Sequence, residues 1–133
     1  MSESPIATNK PNGTGLHRIY RAYICSIKGF KAAYTHESAF RQELLLCACL
    51  FPLSFFIAKS MGEWLMLVCS LLFLLFAEIL NSALEALADR ISLEHHELLG
   101  RAKDLGSAGV FIAFLVVVLI WSGMAYTAFS PPA

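Results

Sequence analysis

Three apolar stretches, each bounded by charged or small polar residues, dominate the chain: Leu44–Ala58, a run from Trp64 to about Ala88, and Leu105–Phe129. A helix that crosses a bilayer needs about 20 predominantly apolar residues. The second and third runs reach that length unaided. The first has only about fifteen clean residues and must borrow Ala39–Glu43 and Lys59–Met61 to span. The expected spans are therefore about 40–60, 64–88 and 105–129, with Pro52 as an expected kink in the first. Ahead of them, Ile19, Tyr20, Tyr23, Ile27, Phe30 and Tyr34 recur at threes and fours, while Arg18, Arg21, Lys28 and Lys31 lie mostly elsewhere. That pattern predicts an amphipathic helix over 16–34, lying in the membrane interface with its basic face toward anionic headgroups.

Between these elements the polar residues read as connections. Thr35–Glu43 is a hinge with Thr35 or Ser38 as an expected helix cap. Lys59–Glu63 is a tight turn in which Glu63 reads as a solvated loop charge, and Trp64 anchors the second span at the interface. Asp89–Asp104 reads as a polar linker. Gly106, Ser107, Ala108 and Gly109 open the third span and allow a neighbouring helix backbone to come close. Residues 1–15 are polar, rich in Ser, Pro, Asn and Gly, and lack the apolar core of a signal peptide, so they read as a disordered lead-in. The expectation is an all-α membrane protein, one integral-membrane domain over 16–133.

One feature breaks the apolar pattern. The second run carries Glu78, Asn81, Glu85 and Asp89, and on a helix at 100° per residue these fall within one arc of roughly 80°. Ser82 borders the arc, while Ile79, Leu80, Ala83, Leu84, Leu87 and Ala88 cover the rest of the surface. Acidic residues in a spanning helix are costly unless they face protein, water or a ligand. Twenty-five residues cover about 37 Å, so the last turns, with Glu85 and Asp89, reach toward headgroups. Glu78 lies about 16 Å deeper than Asp89 along the axis.

Composition agrees with lipid as the solvent. Of 133 residues, 57% are hydrophobic and 15% charged, against a soluble norm of about 45–50% and 25%. Net charge is zero, which gives no case for nucleic acid. Cys25, Cys47, Cys49 and Cys69 include no CxxC pair and none beside a His at ligand spacing, so a disulfide or zinc site is not expected. Charge placement orients the chain. Lys10, Arg18, Arg21, Lys28, Lys31 and Arg41 precede the first span and Arg90, Arg101 and Lys103 fill the second loop, whereas the first loop holds only Lys59 and the tail none. The positive-inside rule puts the N-terminus and second loop in the cytoplasm and the C-terminus outside.

Glu37, Glu78, Glu85, Asp89, Lys103 and Asp104 then gather at one membrane face. A carboxylate cluster of this kind suits Mg²⁺. Glu37 and Glu85 reach similar depth and suit a cation that bridges nucleotide phosphates, with Lys103 and Arg18 or Arg101 neutralising phosphate charge. Glu78, deeper and drier, is placed to act as general base on a hydroxyl arriving from the lipid. No GxxxxGK[ST] loop and no protein-kinase signature is present. Glu43 and Asp89 also read as end-of-span charges that snorkel. His95 and His96 point about 100° apart on a helix, which argues against a metal pair. Glu78 and Asn81 also suit a structural role, joining helices in an oligomer.

EILNSALEALADR at Glu78–Arg90, HELLGRAKDLGSAGV at His96–Val110 and KGFKAAYTHESAFRQE at Lys28–Glu43 together resemble the prokaryotic diacylglycerol kinase family over roughly Gly15 to Tyr126. The resemblance implies a three-span inner-membrane homotrimer with an interfacial helix and sites shared between chains. It implies transfer of the γ-phosphate of Mg·ATP to the hydroxyl of diacylglycerol, giving phosphatidate. By matching position, Glu78 would be the base and Glu37 and Glu85 the Mg²⁺ ligands. Arg18, Cys25, Glu94, His95 and His96 would lie near the nucleotide, with Lys103 and Asp104 on polar positions of the same site. Arg41, Gln42, Glu43, Asn81 and Ser107 would lie near the lipid. The amphipathic helix and the FPLSFF segment of the first span match less closely. Related proteins that phosphorylate undecaprenol are the nearest alternative, and DRISLEHHELLGRAKD is nearer the diacylglycerol pattern. A proton-coupled membrane subunit without catalysis is the alternative outside enzymes, although the chain shows no internal repeat.

Overall fold

The computed structural model describes residues 15–94 and 96–130. The expected lead-in, except Gly15, and His95 lie outside the described residues. Four helices follow in order: α1 Gly15–His36, α2 Ser38–Ile57, α3 Met61–Ile91 and α4 Glu97–Phe129. α2, α3 and α4 are long and apolar enough to cross a membrane. They run up, down and up through short connections, and α3 packs chiefly against α4 and then α2. α1 touches the bundle chiefly through α2 and buries a single side chain, Ala33.

Local signals explain the boundaries. Ser60 caps α3, its hydroxyl accepting the Glu63 N–H at 3.2 Å, and the Glu63 carboxylate accepts the Lys59 N–H at 2.8 Å. Glu63 is thus a cap group rather than a free loop charge, because Ser and Glu three apart answer the unpaired N–H groups of a helix start. The expected cap at Thr35 or Ser38 does not form. Glu37 is the N-cap residue of α2 in extended conformation, and the Thr35 hydroxyl donates back to Lys31 O at 2.8 Å. α2 runs unbroken through Pro52.

The second connection is shorter than the polarity of Asp89–Asp104 suggested. α3 continues to Ile91 and α4 already begins at Glu97. Polar residues need not end a helix outside the hydrocarbon, and Glu97 and Arg101 form an i,i+4 ion pair at 3.0 Å on its exposed face. At about 46 and 50 Å, α3 and α4 outrun a 30 Å hydrocarbon layer and project together on the side of that loop.

The apolar core occupies the other half of the bundle. Leu67, Leu71 and Leu74 of α3 meet Cys47 and Ile57 of α2 and Ala113, Val117 and Trp121 of α4. Trp121 Nε1–H donates to Ser70 Oγ at 3.2 Å, and Ser70 Oγ–H donates to Leu67 O at 2.7 Å, so the buried indole is satisfied. At the same end Lys59 Nζ donates to the Thr127 carbonyl, and Phe55 packs on Trp64 with ring centroids 5.4 Å apart. Phe73, Phe76, Leu80, Phe111, Ile112 and Leu119 remain exposed, a surface suited to lipid and not to water.

Candidate active site

The buried face of α3 is one continuous seam that changes chemistry halfway. Leu67, Ser70, Leu71 and Leu74 are followed, at the same three- and four-residue spacing, by Glu78, Asn81 and Ser82. The fold therefore turns the acidic stripe inward along the line that forms the apolar core. Glu78 is 3% exposed, which is rare for a carboxylate and costs several kcal/mol unless it is answered.

Other carboxylates surround it. Glu43, at the start of α2, is half-buried, and its Oε2 is enclosed without a hydrogen-bond partner. The charges of Glu43, Glu85 and Glu37 all lie close enough to act on Glu78. Asn81 Nδ2 donates to Glu85 Oε1 at 3.2 Å and so orients that carboxylate one turn nearer the water. Asn81 Oδ1 is buried without a partner among the described residues. Gly106 brings α4 onto this spot, since a Cβ there would collide with Asn81 Oδ1. The small residues opening the third span were expected to allow close approach, and at Gly106 they do.

Lys103 of α4 pairs with Asp89 of α3 at 2.5 Å, joining the two helices where they project beyond the apolar core. A cavity of about 320 Å³ opens there between the helix ends, lined by Asp89, Ser92, Glu94, His96, Gly100 and Lys103. It collects three residues expected near a nucleotide: Glu94, His96 and Lys103. Asp104 and Ser107 are exposed on α4, and Gln42 is exposed on α2. Arg18 and Cys25 are exposed on α1 and make no hydrogen bond or ion pair to the stripe. Arg41 spends its guanidinium on the α1 carbonyls of Tyr34 and Thr35. A second cavity of about 280 Å³ faces the lipid side, lined by Phe73, Phe76, Leu80, Leu84 and Gly109 with Asn81 at its polar edge.

Among the described residues no three His, Cys, Asp or Glu side chains come together as a metal cage. The two residues expected as Mg²⁺ ligands, Glu37 and Glu85, are half-buried carboxylates on separate elements. Hard oxygen donors in that number fit a Mg²⁺ that keeps waters or takes phosphate oxygens, as this ion ordinarily does. Sequence reasoning missed the Asp89–Lys103 pair, the Asn81–Gly106 contact and the Arg41 clasp. Only the α3–α4 spacing of fourteen residues between Asp89 and Lys103 hinted at the first.

Fold and site together define a helical integral-membrane protein with a buried carboxylate seam that opens on a polar cavity at one end. The model of the family described as prokaryotic diacylglycerol kinase matches residues 24–125, and the chain belongs to that family. It is similar to the diacylglycerol kinase of Haemophilus influenzae, with 43% identity over 113 residues, covering 85% of this chain and 96% of the relative. The Pseudomonas aeruginosa diacylglycerol kinase is 44% identical over 122 residues, covering 92% and 96%. That of Escherichia coli K12 is 44% identical over 110 residues, covering 83% and 90%.

Proposed function

We propose that the chain transfers the γ-phosphoryl group of ATP to the free hydroxyl of diacylglycerol, giving phosphatidate and ADP, at the cytoplasmic face of a bacterial inner membrane. Family membership supports the lipid-kinase reading. The observation that carries the chemistry is the burial of Glu78 in a seam between an apolar, lipid-side cavity and a cavity at the helix ends that carries Asp89, Glu94, His96 and Lys103. Undecaprenol phosphorylation is not favoured, since the relatives named above are diacylglycerol kinases.

In this reading the acyl chains lie along the lipid-facing surface beside Phe76, Leu80 and Leu84, which brings the glycerol hydroxyl toward Asn81 and Glu78. Gln42, Glu43 and Ser107 border the lipid from α2 and α4. Glu78 accepts the hydroxyl proton as the oxygen forms its bond to the γ-phosphorus and the bond to the β-phosphate oxygen breaks. Being buried, Glu78 reacts without first shedding a water shell. Glu85, aimed by Asn81, and Glu37 would hold Mg²⁺. When bound, the ion neutralises charge on the phosphate oxygens and orients them. Lys103, held by Asp89, meets the same phosphates with a fixed positive charge. Glu94, His95, His96 and Asp104 border the nucleotide, with Arg18 and Cys25 supplied from α1.

A homotrimer with sites shared between chains is part of the proposal. Asn81 Oδ1 lacks a partner among the described residues and α1 is largely uncovered, so a neighbouring chain has a polar group to answer and a helix to offer. The reading is tested by ATP consumption in detergent micelles with diacylglycerol or undecaprenol, with and without Mg²⁺. Turnover should require Mg²⁺ and diacylglycerol together. Absence of any lipid-dependent turnover would refute it.

A further inference from the structure

The junction between α1 and α2 is a single extended residue, and that residue is Glu37, with φ −104° and ψ 113°. A helix that stops leaves its last carbonyls without intrahelical donors. Here three of them are answered from the hinge or from α2. Ala33 O accepts the Glu37 N–H at 2.9 Å, while Tyr34 O and Thr35 O accept Arg41 Nη1–H at 2.9 and 3.3 Å. The Arg41 backbone N–H donates in turn to Glu37 O at 3.4 Å. Glu37 is therefore pinned through its own N–H on one side and its own carbonyl on the other, and the Arg41 side chain closes the loop around it. Ala33 and Phe40 are the buried residues that flank the hinge among the described residues.

From this geometry we infer that Arg41 is a positioning residue. It locks the α1–α2 hinge so that the Glu37 carboxylate is presented at a fixed angle to a divalent cation. The resemblance places Arg41 beside the lipid, but its guanidinium is occupied by two backbone carbonyls at the positive-favouring end of α1. Arg41 faces carbonyls and makes no ion pair with Glu37, so its guanidinium does not compete with a cation for that carboxylate. One guanidinium nitrogen serving two successive carbonyls relies on a planar fork held in one orientation, which a lysine ammonium on a flexible stem does not reproduce. The inference rests on the reading of Glu37 as a metal ligand. It extends that reading by naming what aims the ligand, in the way that residues behind a metal's direct ligands tune affinity.

The test uses the full-length protein in micelles, with Mn²⁺ as the probe ion and a non-hydrolysable ATP analogue, reading bound Mn²⁺ by paramagnetic resonance. Arg41→Ala should raise the Mn²⁺ concentration for half-saturation by about tenfold or more. Arg41→Lys should restore only part of the loss. The KM for diacylglycerol should change by less than about twofold in both variants, and amide exchange across Thr35–Phe40 should accelerate in Arg41→Ala. Full rescue by lysine would mean that charge alone matters, and a defect confined to the diacylglycerol KM would mean a lipid contact; either overturns the clasp. Glu37→Gln separates the two readings. If it weakens Mn²⁺ binding while Arg41→Ala leaves binding unchanged, only the clasp fails. If Glu37→Gln leaves Mn²⁺ binding intact, the ligand role of Glu37 fails and the clasp falls with it.

Discussion

Glu78 is the proposed general base, and its surroundings define what its removal should do. It lies on the buried seam with Asn81 and Ser82, within range of three other carboxylates, yet no lysine or arginine forms an ion pair with it among the described residues. A salt-bridged structural carboxylate would have such a partner. Glu78→Gln keeps the volume and hydrogen-bonding capacity but cannot take a proton. It should lower kcat by about 10²- to 10⁴-fold, the usual weight of a general base, while binding of Mg·ATP, followed with a non-hydrolysable analogue, stays near normal. A near-normal turnover rate in that variant would remove Glu78 from the role. The sequence made Glu78 conspicuous because a carboxylate in a spanning helix is so rarely tolerated. It could not reveal that Glu43 faces Glu78 from another helix, because Glu43 also reads as a snorkelling charge at the end of a span.

At the scale of elements, the contact between α3 and α4 sets the site. Gly106 is where the two helices come closest around Asn81, and Asn81 in turn aims Glu85. Gly106→Ala adds one methyl group that only Asn81 can yield to, so it should disturb catalysis more than folding. We expect activity to fall by about ten- to a hundredfold, the scale of small misplacements at a reacting centre. Gly123→Ala, where an added Cβ meets nothing, should be nearly silent or slightly stabilising. Comparison of turnover with resistance to denaturing detergent distinguishes the two effects. A Gly106→Ala enzyme of normal rate would show that the Asn81 contact is dispensable. The run of small residues in the sequence announced a close approach, but Gly106, Gly109 and Ser107 were equivalent candidates for the point of contact. Only the rotation of α4 chooses Gly106.

For the whole molecule, the two ends of the bundle carry different chemistry. One end has the aromatic and Lys59–Glu63 cap, the other the charged helix extensions and the 320 Å³ cavity. The basic residues concentrate at the second end, which the positive-inside rule assigns to the cytoplasm, where ATP is available. In a background with the native cysteines replaced, Ser60→Cys and Ser130→Cys should react with a membrane-impermeant maleimide added outside spheroplasts. Ser92→Cys should react only after permeabilisation. The reverse pattern would invert the orientation and leave the cavity facing the wrong solvent for ATP.

Hydrophobic length and periodicity are local properties, so the chain by itself determined three spans, an amphipathic lead helix, and an acidic stripe confined to one face of α3. Charge counting, also local, gives the expectation for the sides. The length of the helices beyond the membrane was less legible, since polar residues at Asp89–Asp104 satisfy a loop and an exposed helix equally well. What only the tertiary structure decided was which groups on different helices meet: Lys103 with Asp89, Gly106 with Asn81, and Arg41 with the end of α1, with Glu43 brought within electrostatic range of Glu78. Each depends on the rotation and axial register of one helix against another. Packing between whole elements sets those variables, and no short stretch of sequence encodes them.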